Sequence, residues 1–425
     1  MPDGTTNERR YRREAELALV VCNEGIILTR PVQHHPANRQ SALQPVMAGL
    51  VTALVGYTSS FAVVLTGLKA VGANEAQAAS GLFALTITFA ICAIGLAWFT
   101  KRPITTAWST PGAALLLGAG GLNLGWNQAV GAFVMTGVLI AATGAIPWLG
   151  RLLAAIPVPL AQAMLAGVLL QLCLAPFVAL STIPLYVAPV IIAWLVFLRL
   201  SPRWAVPAAM ATALAIAGIT MGQSTTNGAM GQLLPTLVFT APEFSIQAFT
   251  GITLPLFVVT MASQNVPGVA VLASFDYETP WRASMLSTGI GTSMAGVFGG
   301  HAINLAAISA ALAAGEEAGE DRSRRWIAAV SSGGFYILLG LASAAITALA
   351  SASPSGLLEA AAGLALLGTL GTAASSALSD PTSRMSSLVA FLIAGSGLGF
   401  AGIGGAFWAL IAGLSLRFLI ERKRS

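Results

Sequence analysis

The sequence predicts an all-α polytopic membrane protein, and three observations support that fold class. Of its 425 residues, 56% are hydrophobic and only 9% are charged, against about 25% charged in a soluble domain. Apolar segments of roughly 17–25 residues, long enough to cross a bilayer as helices, recur almost from end to end. Basic residues concentrate in the breaks on one predicted side of the membrane. These properties exclude a soluble protein.

Residues 1–41 differ from everything that follows. They are polar and charged, contain no long apolar run, and lack a signal-peptide apolar region followed by a cleavage site. We expect a disordered cytoplasmic arm. His34 and His35 could pair on a metal, but histidines in a loop are more often solvated, and the three cysteines match no zinc or disulfide spacing. No metal site and no cofactor are predicted.

The apolar runs divide into fourteen predicted spans, seven in residues 42–225 and seven in residues 243–421. The first set lies at 43–69, 77–99, 104–121, 127–148, 153–178, 183–200 and 203–221, and the second at 244–267, 281–298, 301–314, 326–350, 355–377, 384–397 and 400–420. If the N-terminus is cytoplasmic, every basic residue after position 41 except Lys69 also falls on the cytoplasmic side, Arg203 among them.

This bias predicts an inner-membrane protein with both termini in the cytoplasm. The net charge of +5 then reflects orientation, and no nucleic-acid partner is expected.

Seven spans per half imply that the second half is inverted relative to the first, as in many secondary transporters. The third span of each half contains "RPITTAWSTPGAALLLGAGG" (102–121) or "FGGHAINLAAISAALAAG" (298–315). Each begins at a glycine or proline break, passes through a stretch that tolerates β structure, and ends in a segment too short to cross alone. The pattern predicts short β-like stretches and half-helices in spans 3 and 10, with Thr110 aligned to Asn304 at an offset of 194.

The paired half-helices predict an anion site between their N-termini, because unpaired N–H groups and the helix dipole favour negative charge there. Thr110, followed by Pro111, is a natural N-cap, and Asn304 is the expected N-cap of the second half-helix. Ser109, Thr110 and Asn304 are therefore candidate ligands, and His301 is expected to line the same cavity. Alternatively, Asn304 only caps a helix and His301 bonds a neighbouring carbonyl.

A second polar cluster, "VVTMASQNVPG" (258–268), interrupts span 8. Its Gln264 and Asn265 are costly in hydrocarbon and mark either a substrate pathway or interhelical hydrogen bonds; we favour the pathway. The hydroxyl-rich "GYTSSFAVV" (56–64) is its counterpart in span 1. No nucleophile–base or metal arrangement appears in the spans, so we expect no enzyme.

The motifs "TMASQNVPG", "HAINLAAISAA" and "RPITTAWSTPGAALL", in their spacing, resemble the benzoate/proton symporter (BenE) family over roughly residues 40–421. That family is similar in fold to nucleobase permeases and sulfate-type anion transporters. The resemblance implies a core domain from spans 1–4 and 8–11 and a gate domain from spans 5–7 and 12–14. It also implies alternating-access import of benzoate, or a closely related aromatic carboxylate, with protons.

A benzoate ring needs an apolar slot, and by this count of spans Tyr57, Phe61 and Trp108 are the aromatic residues near the cavity, although for each one alone ordinary packing is the favoured interpretation. The nucleobase permeases bind substrate through acidic residues on spans 8 and 10. The matching region here has only neutral Gln264, Asn265 and Asn304, which suits an anionic substrate.

The proton carrier is open. His301 is the first candidate and Glu359, about a turn inside span 12, is the second; benzoic acid moving in its protonated form is the third possibility. Rival functions are a carrier or channel for another small anion or a nucleobase. Small-residue faces in spans 13 and 14 could support a homodimer or serve packing within the chain.

Overall fold

The computed structural model describes residues 43–122, 124–146, 148, 157–223, 235–306, 308–400 and 403–421. The predicted arm, residues 1–41, lies outside this part of the chain. Along the first half the described elements are α1 (Leu43–Thr58), α2 (Phe61–Ala70), α3 (Glu75–Thr100), β1 (Thr106–Trp108), α4 (Thr110–Ala119), α5 (Trp126–Ala145), α6 (Val158–Thr182), α7 (Pro184–Leu200) and α8 (Pro202–Gln223).

The second half begins with α9 (Ile246–Ser274), a continuous helix with π-helical segments at Phe249–Thr253 and Met261–Asn265. The elements after it are α10 (Trp281–Gly296), β2 (Ile303–Leu305), α11 (Ile308–Ala314), α12 (Trp326–Leu341), α13 (Ser343–Ser351), α14 (Leu357–Leu378), α15 (Arg384–Gly395), β3 (Gly399–Phe400), β4 (Ile403–Gly404) and α16 (Gly405–Leu416).

Each of the fourteen predicted spans overlaps one of these helices or two to three consecutive elements. By length and composition, seven helical segments of the described chain can cross a membrane alone, or eight if the pair α12–α13, bent by 52°, is one span. Helices α4, α7 and α15 are apolar but shorter. The count of fourteen therefore stays a prediction.

The two predicted β-like stretches form one antiparallel sheet in which Ala107 pairs with Asn304 and Trp108 with Ile303. Each strand is followed by a short helix, α4 or α11, as the half-helix pattern predicts. Strand β2 begins at 303 and β1 at 106, so the halves match at an offset of 197, and the predicted offset of 194 was wrong. The difference places Asn304 opposite Ala107 inside a strand.

Side chains from neighbouring helices complete the hydrogen bonding of β2. The N–H of Ile303 donates to Thr292 Oγ1 of α10 at 2.9 Å, and that of Leu305 donates to Asn265 Oδ1 of α9 at 2.8 Å. A strand edge inside a membrane has no water to bond. Thr292 and Asn265 therefore take the place of a third strand.

The most extensive helix–helix contacts fall into two groups. In one, α12 packs against α1 and α3, and α10 packs against α5; in the other, α6 packs against α14 and α15, α7 against α8, and α15 against α16. Glycines permit the close approach: a Cβ on Gly289 would lie 2.3 Å from the Ala141 nitrogen, and one on Gly363 would lie 2.3 Å from the Leu172 oxygen.

The small residues of predicted span 13 are used within the chain. A Cβ on Gly167 of α6 would lie 2.6 Å from the Ala394 Cβ and 2.9 Å from the Gly395 nitrogen. This contact explains the small residues as intramolecular packing, and they lend no support to the predicted homodimer.

Candidate functional site

A cavity of about 280 Å³ lies where α1, β1, α4 and α9 meet α8, α12 and α14. Its volume is close to the lower end of small-molecule pockets, about 300 Å³. We call it the α4 cavity. It is lined by Val55, Gly56, Ser59, Ser60, Ala107, Trp108, Thr110, Pro111, Pro202, Arg203, Val206, Gln264, Ala306, Ser309, Leu312, Tyr336, Ala365, Leu366 and Thr369.

Both polar patches singled out in the sequence reach this cavity. Ser59 and Ser60 lie at the break between α1 and α2, Gly56 lies in the last turn of α1, and Gln264 lies in the second π-helical segment of α9. The π turn widens the helix locally, a feature often found at functional sites. Thr110 and Ser309, at the starts of the two half-helices, complete the polar wall.

Ser109, rather than Thr110, is the N-cap of α4. Its side-chain oxygen accepts the Gly112 N–H at 3.1 Å and the Thr260 hydroxyl at 2.9 Å. Ser109 is fully buried and does not line the cavity. Thr110 is the first helical residue, so its partly exposed side chain projects into the cavity instead of closing the helix end.

Of the three predicted aromatic residues, Trp108 alone lines the α4 cavity. Its indole N–H donates to Ser60 Oγ at 2.8 Å, and its ring lies 5.2 Å from that of Tyr57. Tyr57 stacks on Phe61 at 5.7 Å, and both are buried away from the cavity lining. The indole is therefore a wall whose polar atom is occupied, with Tyr57 and Phe61 packed outside the lining.

Asn265 and Asn304 are fully buried and do not line the cavity. Asn265 bonds the Leu305 N–H and, through Nδ2, the Met261 sulfur at 3.1 Å. Asn304 lies in β2 and donates to the Leu305 carbonyl at 2.8 Å, so the predicted N-cap role was wrong. The strand continues past Asn304, and α11 begins only at Ile308.

His301 lies just before β2, fully buried and outside the cavity lining. Its Nε2 is 2.9 Å from the Ser109 carbonyl oxygen, which can only accept, so Nε2 carries the hydrogen. Among the described residues Nδ1 has no hydrogen-bond partner. The alternative in which His301 bonds a neighbouring carbonyl describes its geometry, and Ser109 links it to the start of α4.

Glu359 lies in the first turn of α14, where its carboxylate accepts the Gly356 N–H at 3.1 Å. It lines a second cavity of about 220 Å³ together with Lys69 and Ser351, whose side chains are hydrogen-bonded at 2.9 Å. The structure thus places the two proton-coupling candidates, Glu359 and His301, apart from the α4 cavity.

The lining residues that the sequence did not indicate include Arg203 and Tyr336. Arg203 entered the sequence analysis only as a basic residue that reports orientation, and Tyr336 was not singled out within span 11. The glycine at position 56 is the sequence feature connected with Tyr336, because a Cβ at that position would lie 2.1 Å from the Tyr336 hydroxyl. Arg203 lies three residues after the end of α7, as the second residue of α8, and nothing in its local sequence shows which side chains it meets.

The sequence of this chain is similar, over most of its length, to a known protein family and to two described membrane proteins. The profile of the family described as "Benzoate membrane transport protein" (BenE) matches residues 39–419. "Inner membrane protein YdcO" of Escherichia coli is 38% identical over 89% of this chain and 97% of its own length. "Benzoate membrane transport protein" of Acinetobacter baylyi is 31% identical over 90% of this chain and 97% of its own length.

Solved structures share the fold at low identity. The transmembrane domain of the cyanobacterial bicarbonate transporter BicA matches with a TM-score of 0.55 at 15% identity, covering 88% of this chain and 97% of that one. SLC26A9 matches with a TM-score of 0.58 at 12% identity, covering 90% of this chain and 66% of that one. These matches confirm the predicted all-α polytopic membrane fold, and the family, the Acinetobacter baylyi relative and BicA are described as transport proteins rather than enzymes.

Proposed function

This chain belongs to the benzoate membrane transport protein (BenE) family, and we propose that it imports benzoate, or a closely related aromatic carboxylate, with protons by alternating access. The α4 cavity is the proposed binding site. The observation that carries the proposal is the composition of its wall, which combines Trp108 and Tyr336 with hydroxyl and amide side chains and one arginine. Flat apolar surfaces suit an aromatic ring, and convergent donors suit a carboxylate.

Side chains rather than backbone N–H groups supply most of the polar recognition. Pro111 has no N–H, and that of Gly112 is taken by Ser109 Oγ. The first turn of α4 therefore offers fewer backbone donors than an uncapped helix. Thr110 and Gln264, both partly exposed in the cavity, are the donors best placed for the carboxylate. The seven-residue α11 contributes Ser309 as part of the wall.

The two packing groups support the division into domains. Helices α1–α5 and α9–α13 would form the core domain, and α6–α8 and α14–α16 the gate domain; the strongest contacts lie within these sets. The inverted repeat has similar support. An inverted repeat exchanges the pair α3–α12 with the pair α10–α5, and both pairs pack extensively. The α4 cavity has lining residues from both sets, as alternating access requires.

Orientation follows from the basic residues. With both termini cytoplasmic in the inner membrane, Arg203 marks the cytoplasmic side. Because the half-exposed Arg203 lines the α4 cavity, we assign the structure to an inward-facing state.

The decisive experiment is uptake of radiolabelled benzoate into proteoliposomes, with and without an inward proton gradient. The proposal expects uptake that rises with the gradient and collapses with a protonophore. Gln264→Ala should raise the benzoate KM at least tenfold while the protein stays folded. Uptake that ignores the gradient would overturn proton coupling, and normal transport by Gln264→Ala would overturn the site.

The same vesicles separate the rival functions. Counterflow exchange identifies a carrier, because trans-stimulation does not occur in a channel. A panel of other aromatic acids, nucleobases and inorganic anions as competitors then defines the substrate. Displacement of benzoate by a nucleobase or by bicarbonate at lower concentrations than by benzoate itself would contradict the proposed specificity.

A further inference from the structure

Arg203 is the only charged residue among the described residues that line the α4 cavity. It is the second residue of α8, held there by a tight turn in which the Trp204 N–H donates to the Ser201 carbonyl at 2.9 Å. A cation at a helix N-terminus opposes the helix dipole. Helix stability therefore does not explain an arginine at this position.

The guanidinium of Arg203 pairs with Glu317, with NH1 and Oε1 3.0 Å apart. Glu317 lies in the short 3-10 turn Glu316–Ala318 directly after α11. The pair thus joins the start of α8 to the segment that follows the second half-helix. In the proposed domain division these two elements belong to the gate and the core.

The Glu317 carboxylate can readily be replaced on Arg203 by another carboxylate. The two side chains are 51% and 53% exposed, and ion pairs with this degree of exposure contribute little to stability because water and salt screen them. A guanidinium presents five donors in a planar fork that matches a carboxylate. An incoming carboxylate in the cavity can therefore replace that of Glu317 at small cost.

The turn that carries Glu317 is fixed independently of Arg203. The buried Arg325 donates from Nε to the Gly319 carbonyl at 2.8 Å and from its guanidinium to the Ala314 carbonyl at 2.5 Å. These bonds hold the turn on both sides of Glu317. Removing the Arg203 charge should therefore leave the position of Glu317 unchanged.

We propose that Arg203 receives the substrate carboxylate at the mouth of the α4 cavity and that Glu317 is its resting counter-ion, displaced when the anion binds. Glu317 then competes with substrate, and substrate release restores the ion pair between α8 and the segment after α11. This inference rests on the proposed function, since it takes an aromatic carboxylate as the ligand. It makes Arg203 a specificity-determining residue for anionic substrates.

The test is the sign of two changes in benzoate binding, measured by calorimetry on the purified full chain. Arg203→Gln should raise the benzoate Kd at least tenfold, because a charge-assisted contact is lost. Glu317→Gln should lower it about two- to fivefold, because a competing carboxylate is removed. In the double variant the Glu317→Gln effect should vanish. Arg199→Gln, four residues away on exposed α7, is the control with the same loss of charge and should leave Kd unchanged.

A purely structural ion pair gives a different pattern, because removing either partner then changes the benzoate Kd in the same direction. Weaker binding in both single variants, or no change in either, would overturn the inference while leaving the proposed function intact. If Arg203→Gln fails to fold, Arg203→Lys with Glu317→Gln repeats the sign test. Failure of the wild-type protein to bind benzoate would instead overturn the proposed function, and this inference with it.

Discussion

Replacing Thr292 by valine tests how β2 is held beside the site. Thr292 is fully buried in α10. Its hydroxyl donates to the Thr288 carbonyl at 2.7 Å and accepts the Ile303 N–H at 2.9 Å. Valine has nearly the same shape, so the substitution leaves no cavity. The substitution removes the acceptor of the Ile303 N–H. In the described sheet, β2 pairs only with β1, so no third strand can replace that acceptor.

The loss of stability in Thr292→Val is measured against the matched variant Thr288→Val. Thr288 is also fully buried in α10, and its hydroxyl donates to the Ser284 carbonyl at 2.8 Å. Both variants lose this kind of bond, but only Thr292→Val leaves a buried strand N–H unsatisfied. An orphaned buried donor costs about 1–3 kcal/mol. Thr292→Val should therefore be less stable than Thr288→Val by about that amount.

The assay is reversible unfolding of the purified variants in mixed detergent micelles, with the free energy of unfolding compared between the two valine variants. Thr292→Ser, which keeps the hydroxyl, should retain the Ile303 bond and lose only a methyl group. A difference between the valine variants below about 0.5 kcal/mol, the usual scatter between independent sites, would refute the view that side chains complete the edge of β2.

The remaining predictions concern transport. Gly56→Ala should raise the benzoate KM severalfold, because its Cβ would lie 2.1 Å from the Tyr336 hydroxyl and displace that ring at the cavity wall, whereas Gly95→Ala, with nothing within 4 Å, should not; equal KM values in the uptake assay would contradict this. His301→Gln keeps a donor for the Ser109 carbonyl but cannot carry a proton. If His301 is the proton carrier, this variant abolishes gradient-driven uptake while counterflow exchange persists; normal gradient dependence would exclude His301 as the carrier.

The sequence was informative where a polar group interrupts an apolar helix. The hydroxyl-rich stretch at Ser59 and Ser60, the polar segment containing Gln264 and the paired half-helices could all be predicted, because each departs from a regular apolar span, whereas the helix break at Ser59 and Ser60 was not predicted. Composition and spacing sufficed for these features, since hydrocarbon tolerates irregular backbone only where it is buried or lines a cavity.

The roles of individual polar residues could not be predicted in the same way. Gln264 and Asn265 are adjacent, yet one side chain faces the cavity and the other bonds the Leu305 N–H. The π turn in α9 and the position of β2 decide which of the two side chains faces the cavity, and both features are set by tertiary contacts. The N-caps were not predictable either: Ser109 caps α4 in place of Thr110, and Asn304 lies inside β2, because one residue separates the strand from α4 but two residues separate it from α11.

Hydrogen bonds at the sheet provide a physical link through which protonation of His301 would affect the binding of an anion at the start of α4. The Ser109 N–H donates to the Ala302 carbonyl at 2.8 Å, and the Ser109 carbonyl accepts from the His301 ring, so the residue that caps α4 is bonded both to the His301 ring and to the backbone of the residue after it. A second proton on His301 would place a charge in a buried site, which is costly without a partner of opposite sign. A carboxylate beside Thr110 is such a partner. If the two ligands bind in this way, each must raise the affinity of the other by the same factor. Benzoate binding should then be accompanied by net proton uptake, and calorimetry in buffers of different ionisation enthalpy measures the number of protons taken up.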